Sequence, residues 1–126
     1  MSAYATDTKV ELFTNNTTSN AALQVVESGL LNCYAFALYL EETGGANSIQ
    51  YMIEYSPDFE SNAKYNMETK ATTPWFTRVA WTTIAAGGAA IIQMQETADA
   101  IRVSVQSGVS GSPGVVKGWL VKRRLR

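Results

Sequence analysis

Histidine is absent from this chain, cysteine occurs once and proline three times. No apolar run approaches the roughly 20 residues that a membrane-spanning helix needs. Each shortage removes a class of protein. Without histidine, the commonest general base near neutral pH and the commonest metal ligand are both missing, and serine or cysteine triads in their usual form are excluded. Cys33 has no second cysteine for an internal disulfide, and its apolar neighbours read as those of a buried, inert thiol. The same shortage leaves no ligand set for structural zinc, and no ladder of Asp, Asn and Gly resembles a calcium loop. No metal or cofactor is expected, and the chain reads as non-enzymatic. The first eight residues lack the basic start and apolar run of a signal peptide, so synthesis in a cytoplasm is expected, with no general secretory export and no membrane insertion.

What is present is the composition of a globular domain. A length of 126 residues suits one hydrophobic core, and 46% hydrophobic against 17% charged residues describes a lightly charged surface. The dominant pattern has period two. Ile49, Tyr51, Ile53 and Tyr55 alternate with Gln50, Met52 and Glu54, and Ile101, Val103 and Val105 alternate with Arg102, Ser104 and Gln106. Further strands are predicted over 9–14, 23–27, 32–42, 75–84, 89–95 and 115–124, with Gly-rich connections such as "TGGANS", "AAGG" and "SGVSGSPG" between them. "NNTTSN" reads as a polar turn. Pro57 and Pro74 bracket a polar loop over 56–73. The prediction is an all-β, antiparallel, jelly-roll-like β-sandwich of about eight strands in a single domain. Residues 1–8 form a possible N-terminal arm and 122–126 a basic tail.

The strand over 32–42 carries apolar residues on both sides. Tyr34, Phe36, Leu38 and Leu40 face the core, which leaves Cys33, Ala35, Ala37 and Tyr39 on a face that antiparallel sheets usually show to water. These four are candidates for a subunit contact, with coverage by the chain's own arm or loop as the alternative. Alternation puts Trp75 and Trp81 on one strand face with Val79, as core residues would be. Asp58, Phe59 and Tyr65 in the long loop, together with Trp75, are candidates for a ligand site if the domain recognises a receptor or carbohydrate. No nucleophile elbow or phosphate loop is formed by the glycines at 108–114.

Charge is distributed unevenly. Lys122, Arg123, Arg124 and Arg126 hold four of the ten cations, leaving six against eleven acids elsewhere, so a body of −5 carries a tail of +4. The tail is expected to project beyond the sheet, either as a solvated terminus or as an electrostatic foot on an acidic protein partner. Nucleic acid is disfavoured, because the body is acidic and no basic stripe with interleaved aromatics occurs.

The succession "IQYMIEYSPDF", "PWF", "AIRVSVQSG" and "GVVKGWLVKR" resembles the head decoration, or cement, proteins of tailed bacteriophages over roughly residues 22–124. That resemblance implies a structural virion protein on the outer surface of the capsid, bound to the major capsid protein and resisting rupture of the shell. It also implies a homo-oligomer, with trimers at local threefold positions. A tail or adhesin-type receptor- or carbohydrate-binding module is the alternative.

Overall fold

The computed structural model describes residues 5–27, 30, 33–56, 75–95 and 100–125. Its regular elements are eight strands: β1 (Ala5–Thr17), β2 (Leu23–Glu27), β3 (Cys33–Glu42), β4 (Ile49–Ser56), β5 (Phe76–Ile84), β6 (Ala89–Met94), β7 (Ala100–Ser107) and β8 (Val115–Leu125). They form two antiparallel sheets, sheet A in the order β1-β8-β3-β6 and sheet B in the order β2-β7-β4-β5. Except at β4–β5, successive strands lie in different sheets. Two interleaved four-stranded layers with this order define a jelly-roll sandwich, the fold expected from the period-two pattern.

Alternation fills the space between the sheets. Phe13, Phe36, Leu38, Leu40, Met94, Val116 and Leu120 enter from sheet A and meet Ile49, Tyr51, Ile53, Ile84, Val103 and Val105 from sheet B. Across the layers Phe36 and Tyr55 pack edge to face, with ring centroids 5.8 Å apart. Gly118 lies in the inner row of β8, where a side chain has no room: a Cβ there would stand 2.6 Å from Leu40 Cδ2 and 2.9 Å from the Tyr39 carbonyl oxygen.

At one end of this core the inner row of β3 terminates in Glu42, which is only 1% exposed. Its carboxylate accepts N–H groups from Gly44 and Val115 on Oε2, both at 2.9 Å, and from Gly45 and Gly87 on Oε1, at 2.7 and 2.8 Å. Burial alone would raise the Glu42 pKa, but the four backbone donors outweigh it and bring it down to about 2. One acid thus joins the β3–β4 connection, the β5–β6 turn and the start of β8. Gly45 supplies one of these donors from a backbone at φ 80°, a conformation that glycine adopts without steric cost.

Three expectations are corrected. Residues 5–8 are not a separate arm: Ala5 through Thr8 pair with Leu125 through Lys122. The basic tail does not project, because through Arg124 it is the end of β8, held between β1 and β3. "NNTTSN" is not simply a turn, since β1 continues to Thr17 through register shifts that place Asn15 at φ 65°. Asparagine tolerates that left-handed conformation better than most residues, which lets the strand bulge and continue.

Candidate functional site

Sheet A presents the more distinctive outer surface. On β3 the outward row is Ala35, Ala37 and Tyr39, and the register sets longer side chains beside the two alanines. Ala37 lies opposite Val121 on β8 and Gln93 on β6, while Ala35 lies opposite Arg123. A row of bare Cβ groups between taller neighbours leaves a trough along the strand. The result is a groove of about 330 Å³, floored by Ala35 and Ala37 and flanked by Asp7, Arg123 and Val121 on one side, Gln93 and Gln95 on the other, with Tyr39 in its lining.

The polar bank is tightly built. Asp7 and Arg123 are direct cross-strand partners. The Arg123 Nε and Nη2 groups donate to the two Asp7 carboxylate oxygens at 2.7 and 2.9 Å, a bidentate pair that fixes both side chains. These bonds from Arg123 hold the Asp7 carboxyl below its ordinary pKa range. On the opposite bank, the side-chain amides of Gln93 and Gln95 have no hydrogen-bond partner among the described residues. The Tyr39 ring is stacked on Trp119, centroids 5.3 Å apart and planes 13° from parallel, and the Lys9 ammonium lies 4.7 Å from the Trp119 ring centroid. Lys9 also reaches Glu11 at 3.8 Å.

The residues singled out from the sequence fall in different places. Ala35, Ala37 and Tyr39 are together in the groove, but Cys33 is not with them. A register shift between Cys33 and Ala35 breaks the alternation, and Cys33 turns into the core beside Leu30. As a subunit-contact candidate it is therefore corrected. The four basic candidates also separate. Lys122 follows Val116 and Leu120 in the inner row of β8, its side chain only 7% exposed, and donates to Glu27 Oε2 on β2 at 2.6 Å. It ties sheet A to sheet B and is not available as part of an exposed foot. Arg123 belongs to the groove, and only the backbone register of Arg124 is described. Arg126 lies outside the described residues.

Among the loop candidates, Asp58, Phe59 and Tyr65 also lie outside the described residues. Trp75 is half-buried, with the Arg102 guanidinium 4.5 Å from its ring centroid. Arg102 in turn donates through Nε to Glu54 Oε1 at 2.8 Å, which makes this part of sheet B an internal network. Trp81 departs from the expected core position. Register shifts on either side of Ile53 in the β4–β5 pairing break the alternation of β5, and Trp81 emerges 39% exposed while Val79 still packs on the core. Among the described residues, no three of His, Cys, Asp and Glu converge as a metal site.

Asp7, Gln93 and Gln95 were not recognisable as site residues in the sequence. Asp7 and Arg123 are 116 positions apart, and only the β1–β8 register brings them together. The available signal was the pair of alanines, which marked an unusual strand face without naming its banks.

No family model and no curated protein matches the chain. Among solved structures it is similar to tripeptidyl peptidase 2, with a TM-score of 0.58 and 6% identity over 90% of this chain and 10% of that one. It is also similar to the CBM36-1 domain of a multidomain xylanase from the hindgut metagenome of Trinervitermes trinervoides, with a TM-score of 0.50 and 8% identity over 93% and 96% of the two chains. A third similar structure is a disulfide-linked pilus protein of Bacillus endospore appendages, with a TM-score of 0.49 and 12% identity over 99% and 90%. The chain is thereby placed with β-sandwich modules by fold.

Proposed function

We propose that this chain is a non-catalytic recognition module of adhesin type, which attaches a larger particle or protein to a receptor surface through the outer face of sheet A. The observation that carries this reading is the groove over Ala35 and Ala37: a bare floor between an ordered Asp7–Arg123 pair and two glutamine amides that have no hydrogen-bond partner among the described residues. A sheet face shaped only for solvent has no need of that combination, whereas ligand sites pair an apolar surface with a few placed polar groups. Retention of the purified chain on a glycan array or on cells tests the reading. Retention lost on filling the groove by Ala37→Gln supports it, and an array and cell panel that retain nothing would overturn it.

Head decoration is the second reading, favoured by Ile91. This residue stands opposite Tyr39 on the edge strand β6 and is 63% exposed, an apolar anchor of the kind protein interfaces bury. Here the partner is the major capsid protein, the location the outer capsid surface, and the bound form a homo-oligomer gripping several copies of one weak site. Cosedimentation with intact phage heads, lost with Ile91→Lys, supports it. Attachment unaffected by that change rejects Ile91 as the anchor.

A further inference from the structure

The composition of the groove narrows what it binds. Its formal charges cancel, because Asp7 and Arg123 neutralise one another through two short bonds, and the nearby Lys9 is balanced by Glu11. An acidic ligand reaching Arg123 would compete with Asp7, and a cationic ligand reaching Asp7 would compete with Arg123. Either exchange gives up a preformed bidentate pair. The remaining polar groups offer both senses of hydrogen bond. Each glutamine amide donates and accepts, and each Asp7 oxygen has a lone pair beyond the one used by Arg123. A sugar hydroxyl, at once donor and acceptor, matches this mixture. The alanine floor leaves an apolar strip for the C–H groups of a ring, and about 330 Å³ lies at the lower end of small-ligand sites.

We infer that the groove binds a neutral, hydroxyl-rich oligosaccharide, one pyranose ring lying over Ala35 and Ala37 with its hydroxyls on Asp7, Arg123, Gln93 and Gln95. This rests on the reading of the chain as a recognition module and specifies its ligand. Tyr39 bounds the ring, and its stack with Trp119 holds the aromatic wall in place before the sugar arrives. Such preorganisation keeps down the ordering cost of binding.

Isothermal titration calorimetry of the full chain tests the inference, with xylohexaose, cellohexaose and mannohexaose as neutral probes, hexagalacturonate as the acidic probe and a chitosan hexamer as the cationic one. The expected result is binding of a neutral hexasaccharide, weakened about tenfold by Gln93→Ala and abolished by Ala37→Gln. Both side chains lie on an outer strand face, so circular dichroism should show the native fold in each variant. Trp81→Ala, on sheet B, should leave the affinity unchanged. Binding of the charged hexasaccharides alone would overturn the inference, as would neutral binding insensitive to both groove substitutions. Cell retention that Ala37→Gln abolishes, with no neutral hexasaccharide bound, would overturn the ligand class and leave the recognition module standing. No retention and no oligosaccharide bound would overturn both.

Discussion

At the turn end of the sandwich a buried carboxylate, Glu42, is surrounded by four backbone N–H groups, whereas at the opposite end a buried ammonium, Lys122, is met by the side chain of Glu27. Both charges stand in inner rows and close the core, but their partners differ in what they cost to assemble. The donors to Glu42 are fixed when the turns form, so little further freedom is lost in presenting them. Lys122 and Glu27 come from different sheets, and each long side chain must be ordered and desolvated before the bond forms. The first arrangement is integral to the loops; the second resembles a replaceable clasp.

The largest expected effect comes from removing the Glu42 carboxylate. Glu42→Ala leaves four N–H groups without the acceptor they share, and should cost on the order of 4 kcal/mol in chemical denaturation. Glu42→Gln should cost less, because the amide retains one acceptor oxygen, but its NH2 then faces backbone donors. Acid provides a test without mutation. The folded pKa of about 2 lies below the ordinary glutamate value of 4.5, so ionised Glu42 stabilises the fold above pH 5. That contribution, roughly 3 kcal/mol, is lost as pH falls from about 5 to 2. The acid-induced loss attributable to this group should disappear in Glu42→Gln; an unchanged pH profile would show that Glu42 is not its source.

The clasp should behave differently. Lys122→Ala strands the partly buried Glu27 and should cost about 3 kcal/mol, yet Lys122→Met combined with Glu27→Leu should recover most of that loss, since an apolar pair avoids desolvating two ions. Thermal and urea unfolding of the single and double variants measures this directly. A double variant less stable than Lys122→Ala would remove the distinction between the two ends. No isosteric rescue of that kind is open to Glu42, whose partners are main-chain atoms.

These two ends were unequally legible in the sequence. Apolar alternation in β4 and β7 made the strands and the all-β class readable, because side-chain direction in a strand depends on local parity alone. It failed at register shifts. The shift after Cys33 moved it from the outer row of β3, where a subunit contact would have covered it, into the core, and those in the β4–β5 pairing brought Trp81 to the surface. A bulge resets parity, and its position depends on the partner strand as well as on the strand itself. The cluster of cations at 122–126 was visible, but its division was not. Lys122 points inward and Arg123 outward, and their acids, Glu27 and Asp7, lie 95 and 116 positions away. The alanines of the groove were likewise visible, while Gln93 and Asp7 became its banks only through the β3–β6 and β1–β8 pairings.

The smallest effect on stability is expected at Asp7, although the bond geometry of its pair with Arg123 is as good as that of the buried clasp. Both side chains are about half exposed, so water and salt replace much of what the pair provides. Asp7→Asn should therefore leave the thermal midpoint unchanged. Its consequence belongs to the groove: Arg123 loses the Asp7 carboxylate, and the site gains one unit of positive charge. Neutral hexasaccharide binding should weaken, and hexagalacturonate binding should appear at low ionic strength and fade as salt is added. Titration of both probes across a salt series, beside a thermal scan, separates the two roles. A fall in the midpoint comparable to that of Lys122→Ala would place this pair with the structural ions. An unchanged midpoint with preference moved from the neutral to the acidic probe would mark the buried ions as holding the sheets and the exposed pair as selecting the ligand.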